Sequence, residues 1–149
     1  MKLTSFTDYS IRLMMYVAVR NDRLVSIREV SEVFGISRNH LMKIVHSLGK
    51  EGFLETVRGK NGGFRLGMPA KQVNLGKLIR YTEEDLNVVE CFDDKNNNCK
   101  IIERCMLAGV LQMALNSFFD ILDKHYLDDL IVDLNFPEFI IKEEAVTDN

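Results

Sequence analysis

Several features are missing from the sequence, and each absence excludes a class of protein. No apolar run among the 149 residues is long enough to span a membrane. No apolar N-terminal segment suggests export, so we expect a cytoplasmic protein that uses no membrane and keeps its thiols reduced. The sequence also has no Gly-rich phosphate loop, no His-Glu-x-x-His motif and no Cys-x-x-x-Cys-x-x-Cys run. These gaps argue against an enzyme or an electron carrier.

All three cysteines, Cys91, Cys99 and Cys105, lie within one polar stretch of fifteen residues, and the other 134 positions contain none. An odd number of thiols cannot form a complete disulfide framework. Thiolates are soft ligands for zinc, copper(I) and iron–sulfur clusters. The Cys-x-x-Cys pairs of zinc fingers are missing, and intervals of seven and five residues favour an iron–sulfur cluster over zinc. Three unrelated core cysteines remain the simpler alternative.

The two halves of the chain carry opposite charge. Residues 1–80 have fourteen Lys and Arg against six Asp and Glu, whereas residues 81–149 have five against sixteen. The pI near 5.6 therefore conceals a basic first half, which could meet nucleic acid. We expect the acidic half to have a different partner.

The basic half contains the helix start and stop signals of a helix-turn-helix. Ser5 with Asp8 resembles a capping box at the start of a helix over 6–20. A second capping box at Ser26 opens a short helix that stops at Gly35, and Ser37 caps another helix that runs to about residue 49. In such a motif the second helix enters the major groove and presents its first residues to base edges.

The polar face of that second helix supplies the candidate DNA contacts. Its apolar positions predict a buried stripe, which leaves Arg38, Asn39, His40 and Lys43 facing outward. Arginine can pair with guanine and asparagine with adenine. An ordinary solvated face is the alternative, because charged residues on helices are usually just exposed. Further candidate contacts are Arg12, Arg28 and Ser37.

A basic β-hairpin follows the helices. Residues 53–57 read as a strand, residues 59–63 as a glycine-rich turn and residues 64–66 as the return strand. This hairpin predicts a wing that contacts phosphates or the minor groove. The candidate wing residues are Arg58, Lys60, Asn61 and Arg65. Together with the helix-turn-helix, the wing favours binding to double-stranded DNA.

The acidic half contains a long apolar stripe at helical spacing from Cys105 to about His125, on a helix of roughly 30 Å. Its own domain could cover this stripe, or the same helix of a second copy could; we favour the second copy. A twofold homodimer would place two recognition helices one helical turn apart, on an inverted-repeat operator. The stripe consists of Leu107, Val110, Leu111, Ala114, Leu115, Phe118, Ile121 and Leu122.

These elements predict a mainly α fold with a small β wing: a winged helix-turn-helix domain followed by a long dimerisation helix. We assign residues 1–80 to the DNA-binding domain and 81–104 to a cluster-binding loop region. Residues 105–135 form the dimerisation helix and a closing segment, with Leu127 to Leu130 and Phe136-Pro137 closing the domain behind it. Residues 136–149 form a C-terminal tail polar enough to fray.

Three segments carry a resemblance to a known family: Phe-Thr-Asp-Tyr at 6–9, Ser-Arg-Asn-His-Leu-Met-Lys at 37–43, and Val-Arg-Gly-Lys-Asn-Gly-Gly at 57–63. They resemble the winged-helix regulators of the family that includes IscR, and in particular its nitric oxide-sensing branch. The similarity extends from residue 1 to about residue 130. It implies a homodimeric repressor of nitric oxide detoxification genes, which releases its operators when nitric oxide attacks an iron–sulfur cluster.

The resemblance also implies a set of ligands. Cys91, Cys99 and Cys105 match the three cysteine ligands of a 4Fe–4S cluster, with a 2Fe–2S form left open. Asp8 matches a fourth ligand contributed by the partner subunit, although an acidic residue in the first helical turn is stabilising without any metal. The IscR branch instead uses a histidine where this chain has Ala108. A thiol-redox or zinc-responsive repressor of the same fold, without a cluster, is the alternative function.

Overall fold

The structure, a computed structural model, describes residues 2–93 and 95–134. Within this part of the chain, no helix is long and apolar enough to cross a membrane. The predicted tail and the pair Phe136-Pro137 lie outside the described residues. The main elements, in chain order, are helices α1 (Ser5–Val19), α2 (Ile27–Phe34) and α3 (Arg38–Lys50), strands β1 (Leu54–Val57) and β2 (Gly63–Leu66), and helices α4 (Leu75–Thr82), α5 (Met106–Leu122) and α6 (Leu127–Ile131).

Helix α1 begins one residue earlier than the sequence pattern predicted, because its cap is Thr4. The Thr4 hydroxyl accepts a hydrogen bond from the backbone N–H of Thr7 at 3.3 Å, and the Thr4 backbone is extended, as an N-cap requires. Ser5 is already helical, so the predicted capping box of Ser5 with Asp8 is wrong. Both Thr4 and Ser5 have a suitable hydroxyl, and only the backbone conformation decides between them.

The helix-turn-helix prediction is confirmed. Ser26 caps α2 by accepting from the N–H of Glu29 at 3.1 Å, and Ser37 caps α3. Between the helices, Gly35 has φ of +65°, a left-handed conformation that glycine adopts without steric cost. The predicted stripe of α3 is buried, and it joins residues of α1 in one core; it consists of Leu41, Ile44, Val45 and Leu48.

The wing is an antiparallel pair in which Leu54 lies opposite Leu66 and Val57 opposite Gly63. Its first strand starts one residue after the predicted start, because Phe53 is buried in the core and donates its N–H to the carbonyl of Leu48 at 2.9 Å. Val25, just before α2, pairs with Phe64 through two backbone hydrogen bonds of 2.9 Å. This bridge attaches the wing to the helix-turn-helix.

Gly63 is required by that attachment. A Cβ atom at Gly63 would lie 2.5 Å from the backbone carbonyl oxygen of Val25. We therefore expect Gly63→Ala to push the wing away from Val25 and to lower the free energy of unfolding by about 1–3 kcal/mol in urea titrations. Gly109→Ala is the matched control, since a Cβ there meets nothing within 4 Å, and it should leave stability unchanged or raise it by up to about 1 kcal/mol. Equal stability of the two variants would contradict this role.

Helix α5 packs one end against α4. The Arg80 guanidinium forms two hydrogen bonds with the Asp123 carboxylate, at 2.6 and 2.8 Å, and lies 4.2 Å from the centre of the Phe119 ring. The hydrogen bonds from Arg80 lower the pKa of Asp123. Leu127 of α6 is fully buried in the same core as α1. At 17 residues, or about 26 Å, α5 is shorter than predicted because it ends at Leu122.

Candidate DNA-binding surface and cysteine loop

The start of α3 presents a polar face to solvent. Ser37 accepts a hydrogen bond from the backbone N–H of His40 at 3.3 Å, which fixes the first turn of the helix. Arg38, Asn39 and Lys43 are exposed, as the helical spacing predicted. This exposed face has the shape and the side chains of a helix that can enter the major groove.

His40 has a different orientation from the one predicted. It is half-buried, and its ring lies 5.1 Å from that of Tyr9 in an edge-on arrangement and 6.3 Å from that of Phe6. Both aromatic residues belong to α1, so His40 joins the start of α3 to α1. The spacing within α3 could not reveal this contact, because it depends on how α1 packs.

Two exposed residues of α3 were missed as candidates. Met42 has 49% of its surface exposed, and His46 is also exposed one turn further on. Together with Asn39 and Lys43 they line a shallow depression on the outer face of the helix. The signal was present in the sequence, since positions 39, 42, 43 and 46 follow helical spacing on one face.

The wing presents Arg58, Lys60 and Asn61 in the exposed turn between its strands. Gly59, within that turn, has φ of +116°, which a residue with a side chain rarely adopts. Arg65 lies in β2 rather than in the turn, and its Nε is 2.9 Å from a carboxylate oxygen of Glu55 on the opposite strand. The hydrogen bond from Arg65 lowers the pKa of Glu55.

The other two predicted basic contacts are also held in ion pairs. Arg12 lies 2.8 Å from Asp8 in α1, and Arg28 lies 2.7 Å from Glu32 in α2, with all four side chains largely exposed. Within the described residues, no ion pair holds the cations on the outer face of α3 or in the wing turn. On the outer face of α3 and in the wing turn, the positive charge available for a polyanion therefore comes from Arg38, Lys43, Arg58 and Lys60.

The cysteine loop connects α4 to α5. Cys91 lies in the short 3-10 turn Glu90–Phe92, Cys105 occupies the N-cap position of α5, and Cys99 lies between them. All three thiols are free and half-buried. The loop is ordered by its own polar groups: the Asn97 side chain accepts from the Cys99 N–H at 2.9 Å.

The asparagines of this loop belong to the same network. Glu90 accepts a hydrogen bond from the backbone N–H of Asn98 at 3.0 Å, and Asp93 accepts from the Asn96 side chain at 2.7 Å. The side-chain hydrogen bond from Asn96 lowers the pKa of Asp93. The described asparagines in the long interval between Cys91 and Cys99 are therefore held by hydrogen bonds within the loop.

The three thiols have the chemistry of cluster ligands, but in the described part of one subunit they do not form a metal site. Among the described residues, no group of three or more His, Cys, Asp or Glu side chains is close enough to hold a metal ion. Iron in iron–sulfur clusters is held mainly by cysteine thiolates, and three half-buried free thiols on one loop fit that requirement. If the cluster site forms only when the cluster binds, the cysteine loop would have to close around the cluster.

Asp8 lies on the exposed side of α1, with 45% of its side chain accessible, and its carboxylate binds Arg12. The segment before it is fixed by Glu83, a buried carboxylate at the end of α4 that sequence analysis did not identify. Glu83 accepts a hydrogen bond from the backbone N–H of Thr4 at 2.7 Å. The start of α1 is thus joined directly to the segment that leads into the cysteine loop.

Comparison with known proteins assigns this arrangement to a family. The family Rrf2, described as an iron-dependent transcriptional regulator, matches residues 3–133. The chain belongs to the Rrf2 family. Because the match includes both the winged helix-turn-helix and the cysteine loop, Rrf2 membership covers both candidate sites.

Two relatives illustrate the similarity within the Rrf2 family. The HTH-type transcriptional regulator NsrR of Bacillus licheniformis is 46% identical over 133 residues, which cover 89% of this chain and 93% of the relative. The NsrR of Bacillus subtilis is 46% identical over 132 residues, which cover 88% of this chain and 90% of the relative. The resemblance found in the sequence is confirmed.

The fold is shared with a solved structure. The oxidised form of Staphylococcus aureus CymR superimposes with a TM-score of 0.72 at 23% identity, covering 91% of this chain and 99% of CymR. The predicted mainly α fold with a two-stranded wing is confirmed. This Rrf2 protein is a DNA-binding transcriptional regulator, and the prediction that it is not an enzyme is confirmed by its relatives.

Proposed function

We propose that this regulator is a homodimeric repressor that senses nitric oxide through an iron–sulfur cluster and then releases the operators of nitric oxide detoxification genes. The observation that carries the proposal is the set of three free, half-buried thiols on the loop that leads directly into α5. The family is described as iron-dependent, and the motifs resemble the nitric oxide-sensing branch.

DNA would be read by α3 and held by the wing. Arg38, Asn39 and Lys43 are exposed on the helix that a winged helix-turn-helix places in the major groove. The turn residues Arg58, Lys60 and Asn61 would contact phosphates or the minor groove. Three of the remaining predicted contacts, Arg12, Arg28 and Arg65, are ion-paired and would have to exchange partners to bind DNA. The other two are Ser37 and His40.

The second copy in the homodimer would cover one face of α5. Met106, Leu107, Val110 and Met113 are 52–86% exposed, and Ile121 further along the same face is 60% exposed. The opposite side of the helix packs on its own domain through half-buried or buried residues, among them Leu115 and Phe119. In a homodimer, the two coverings considered for this stripe would therefore apply to different faces of α5. Twofold pairing through the exposed face would match an inverted-repeat operator.

Cys91, Cys99 and Cys105 would hold the cluster, with Asp8 of the partner subunit as the fourth ligand. The cluster, 4Fe–4S with 2Fe–2S as the alternative, would supply iron to which nitric oxide could bind. Bound thiolates would order residues 91–105, and an aspartate from the other subunit would tie α1 to the same site. Loss of the cluster would remove the links that it makes between the loop and α1 of the partner subunit. The start of α1, which is joined to the segment before the loop by the hydrogen bond between Thr4 and Glu83, would then be less constrained. The two α3 helices of the dimer would lose their relative position.

The ligand role of Asp8 can be separated from its ion pair. Asp8→Ala removes both the carboxylate and its contact with Arg12, whereas the control variant Arg12→Ala removes only the contact. If Asp8 is a ligand, Asp8→Ala should alter the absorption spectrum, the stability of the cluster or its rate of reaction with nitric oxide, and Arg12→Ala should alter none of them. Unchanged spectra and kinetics in Asp8→Ala would return Asp8 to a purely helix-stabilising role.

The proposal is tested by purifying the protein without oxygen and measuring its absorption spectrum with its iron and sulfide content. A brown protein with about four irons per chain would support the 4Fe–4S form, and about two would support the 2Fe–2S form. A colourless protein with zinc or no metal would contradict the proposal that the protein binds an iron–sulfur cluster. The same three free thiols would then favour the alternative, a thiol-redox or zinc-responsive repressor, because thiolates bind zinc and react with oxidants.

A further inference from the structure

The centre of the outer face of α3 is apolar. Met42 is 49% exposed, although its neighbours in sequence, Leu41 and Ile44, are fully buried and supply the core contacts of the helix. Around Met42, the side chains of Asn39, Lys43 and His46 line the same shallow depression. Met42 is therefore a large apolar group at the middle of a polar and basic surface.

In the proposed function this surface meets DNA, and that placement limits what an apolar side chain can do there. A phosphate does not bind a thioether favourably, because phosphate oxygens accept hydrogen bonds and attract positive charge, and a thioether has neither a donor hydrogen nor a positive charge. The apolar group that the major groove presents is the 5-methyl group of thymine. Methionine is long, flexible and polarisable, so it can pack against such a methyl group from several angles.

We propose that Met42 is a specificity-determining residue that contacts the 5-methyl group of one thymine in each operator half-site. The proposal rests on the placement of α3 in the major groove described above. Asn39, three residues earlier on the same face, would pair with an adenine nearby, and Lys43 beside it would contact a guanine or a phosphate. The operator would then have a required A·T-rich step at the centre of each half-site.

A single exposed methionine is common on protein surfaces, so position matters more than exposure. The described chain leaves about half of Met42 uncovered, and the charged groups beside it, Arg38 and Lys43, complement DNA rather than an apolar partner. Substitution at this position should also leave the fold intact, since half of the side chain is already in solvent. Met42 is thus suited to a test by substitution.

The test uses deoxyuridine, which lacks the methyl group of thymine but keeps its hydrogen-bonding groups. An operator duplex is first selected by the purified dimer from a randomised inverted-repeat library. Each thymine is then replaced by deoxyuridine in turn, and affinity is measured by fluorescence anisotropy. We expect one position per half-site to weaken binding about fourfold, the factor for burying one methyl group, and about fifteenfold when both half-sites are changed.

Variants of Met42 test whether the loss of affinity caused by deoxyuridine depends on this side chain. In Met42→Ala the penalty for deoxyuridine at this position should disappear, and in the conservative variant Met42→Leu most of it should remain. Lys43→Ala is the matched control, which should weaken binding while keeping the penalty. The proposal is overturned if Met42→Ala shows the same penalty as the original protein, or if no thymine is sensitive to the loss of its methyl group.

Failure of the underlying placement of α3 gives a different result. If α3 does not enter the major groove, Arg38→Ala and Asn39→Ala will leave the base preferences unchanged. If only the role of Met42 is wrong, those two variants will still alter the base preferences, while deoxyuridine either has no effect at any position or weakens binding equally in Met42→Ala and the original protein.

Discussion

Replacing Cys105 by alanine should remove the bound iron and the tight operator binding together. Cys105 occupies the junction between the cysteine loop and α5, so its thiolate would join the cluster to the helix that we assign to the dimer. Without this ligand, the loop cannot be closed around a metal. Loss of a coupling of about 1–3 kcal/mol between the cluster and DNA should weaken operator binding by roughly 5–150-fold.

This result requires iron content and operator affinity to be measured on the same anaerobic sample. Cys99→Ala should behave in the same way. Asn96→Ala is the control, because it removes a polar contact to Asp93 in the same loop while retaining all three thiols, and it should keep the cluster. A metal-free Cys105→Ala protein that binds the operator as tightly as the cluster-loaded protein would contradict the proposed coupling.

A charge placed on the exposed face of α5 should have a comparable effect for a different reason. Val110 is 52% exposed in the single chain and lies between Leu107 and Met113, which are 62% and 63% exposed. In a dimer formed through this face, Val110→Asp would bury two unpaired carboxylates close to the twofold axis. The variant should be monomeric in analytical ultracentrifugation, and its operator affinity should fall by about 10²–10⁴-fold, since a monomer binds only one half-site.

The same charge on the polar side of α5 provides the control. Gln112 is exposed there and donates a hydrogen bond to the Asn116 side chain at 3.0 Å. Gln112→Asp should therefore remain dimeric and bind the operator normally. A Val110→Asp protein that stays dimeric at the same concentration would show that the exposed face of α5 is not the dimer interface.

The local signals of the sequence predicted most of the DNA-binding half. The caps at Ser26 and Ser37 and the turn at Gly35 depend on neighbouring residues alone, and all three are confirmed. The predicted cap at Ser5 was wrong, because the adjacent Thr4 has an equivalent hydroxyl and an extended backbone. Propensity cannot distinguish two such neighbours.

Contacts between distant elements were not available from the sequence. The aromatic rings that cover His40 come from α1, and the buried Glu83 reaches Thr4 across 79 positions. For α5, periodicity identified the apolar residues but could not separate the face on α4 from the exposed face. The pattern also suggested the three cysteine ligands, and the family resemblance suggested Asp8, whereas the geometry around them depends on a group and a partner subunit that local sequence cannot position.

The central claim, that nitric oxide releases DNA through the cluster, is tested most directly by one titration. Nitric oxide is added stepwise, without oxygen, to the cluster-loaded dimer bound to fluorescent operator DNA, while cluster absorbance and anisotropy are recorded together. We predict that DNA is released as the absorbance of the cluster falls, with both changes complete at the same ratio of nitric oxide to protein. Loss of the cluster absorbance while the operator remains fully bound would contradict the account.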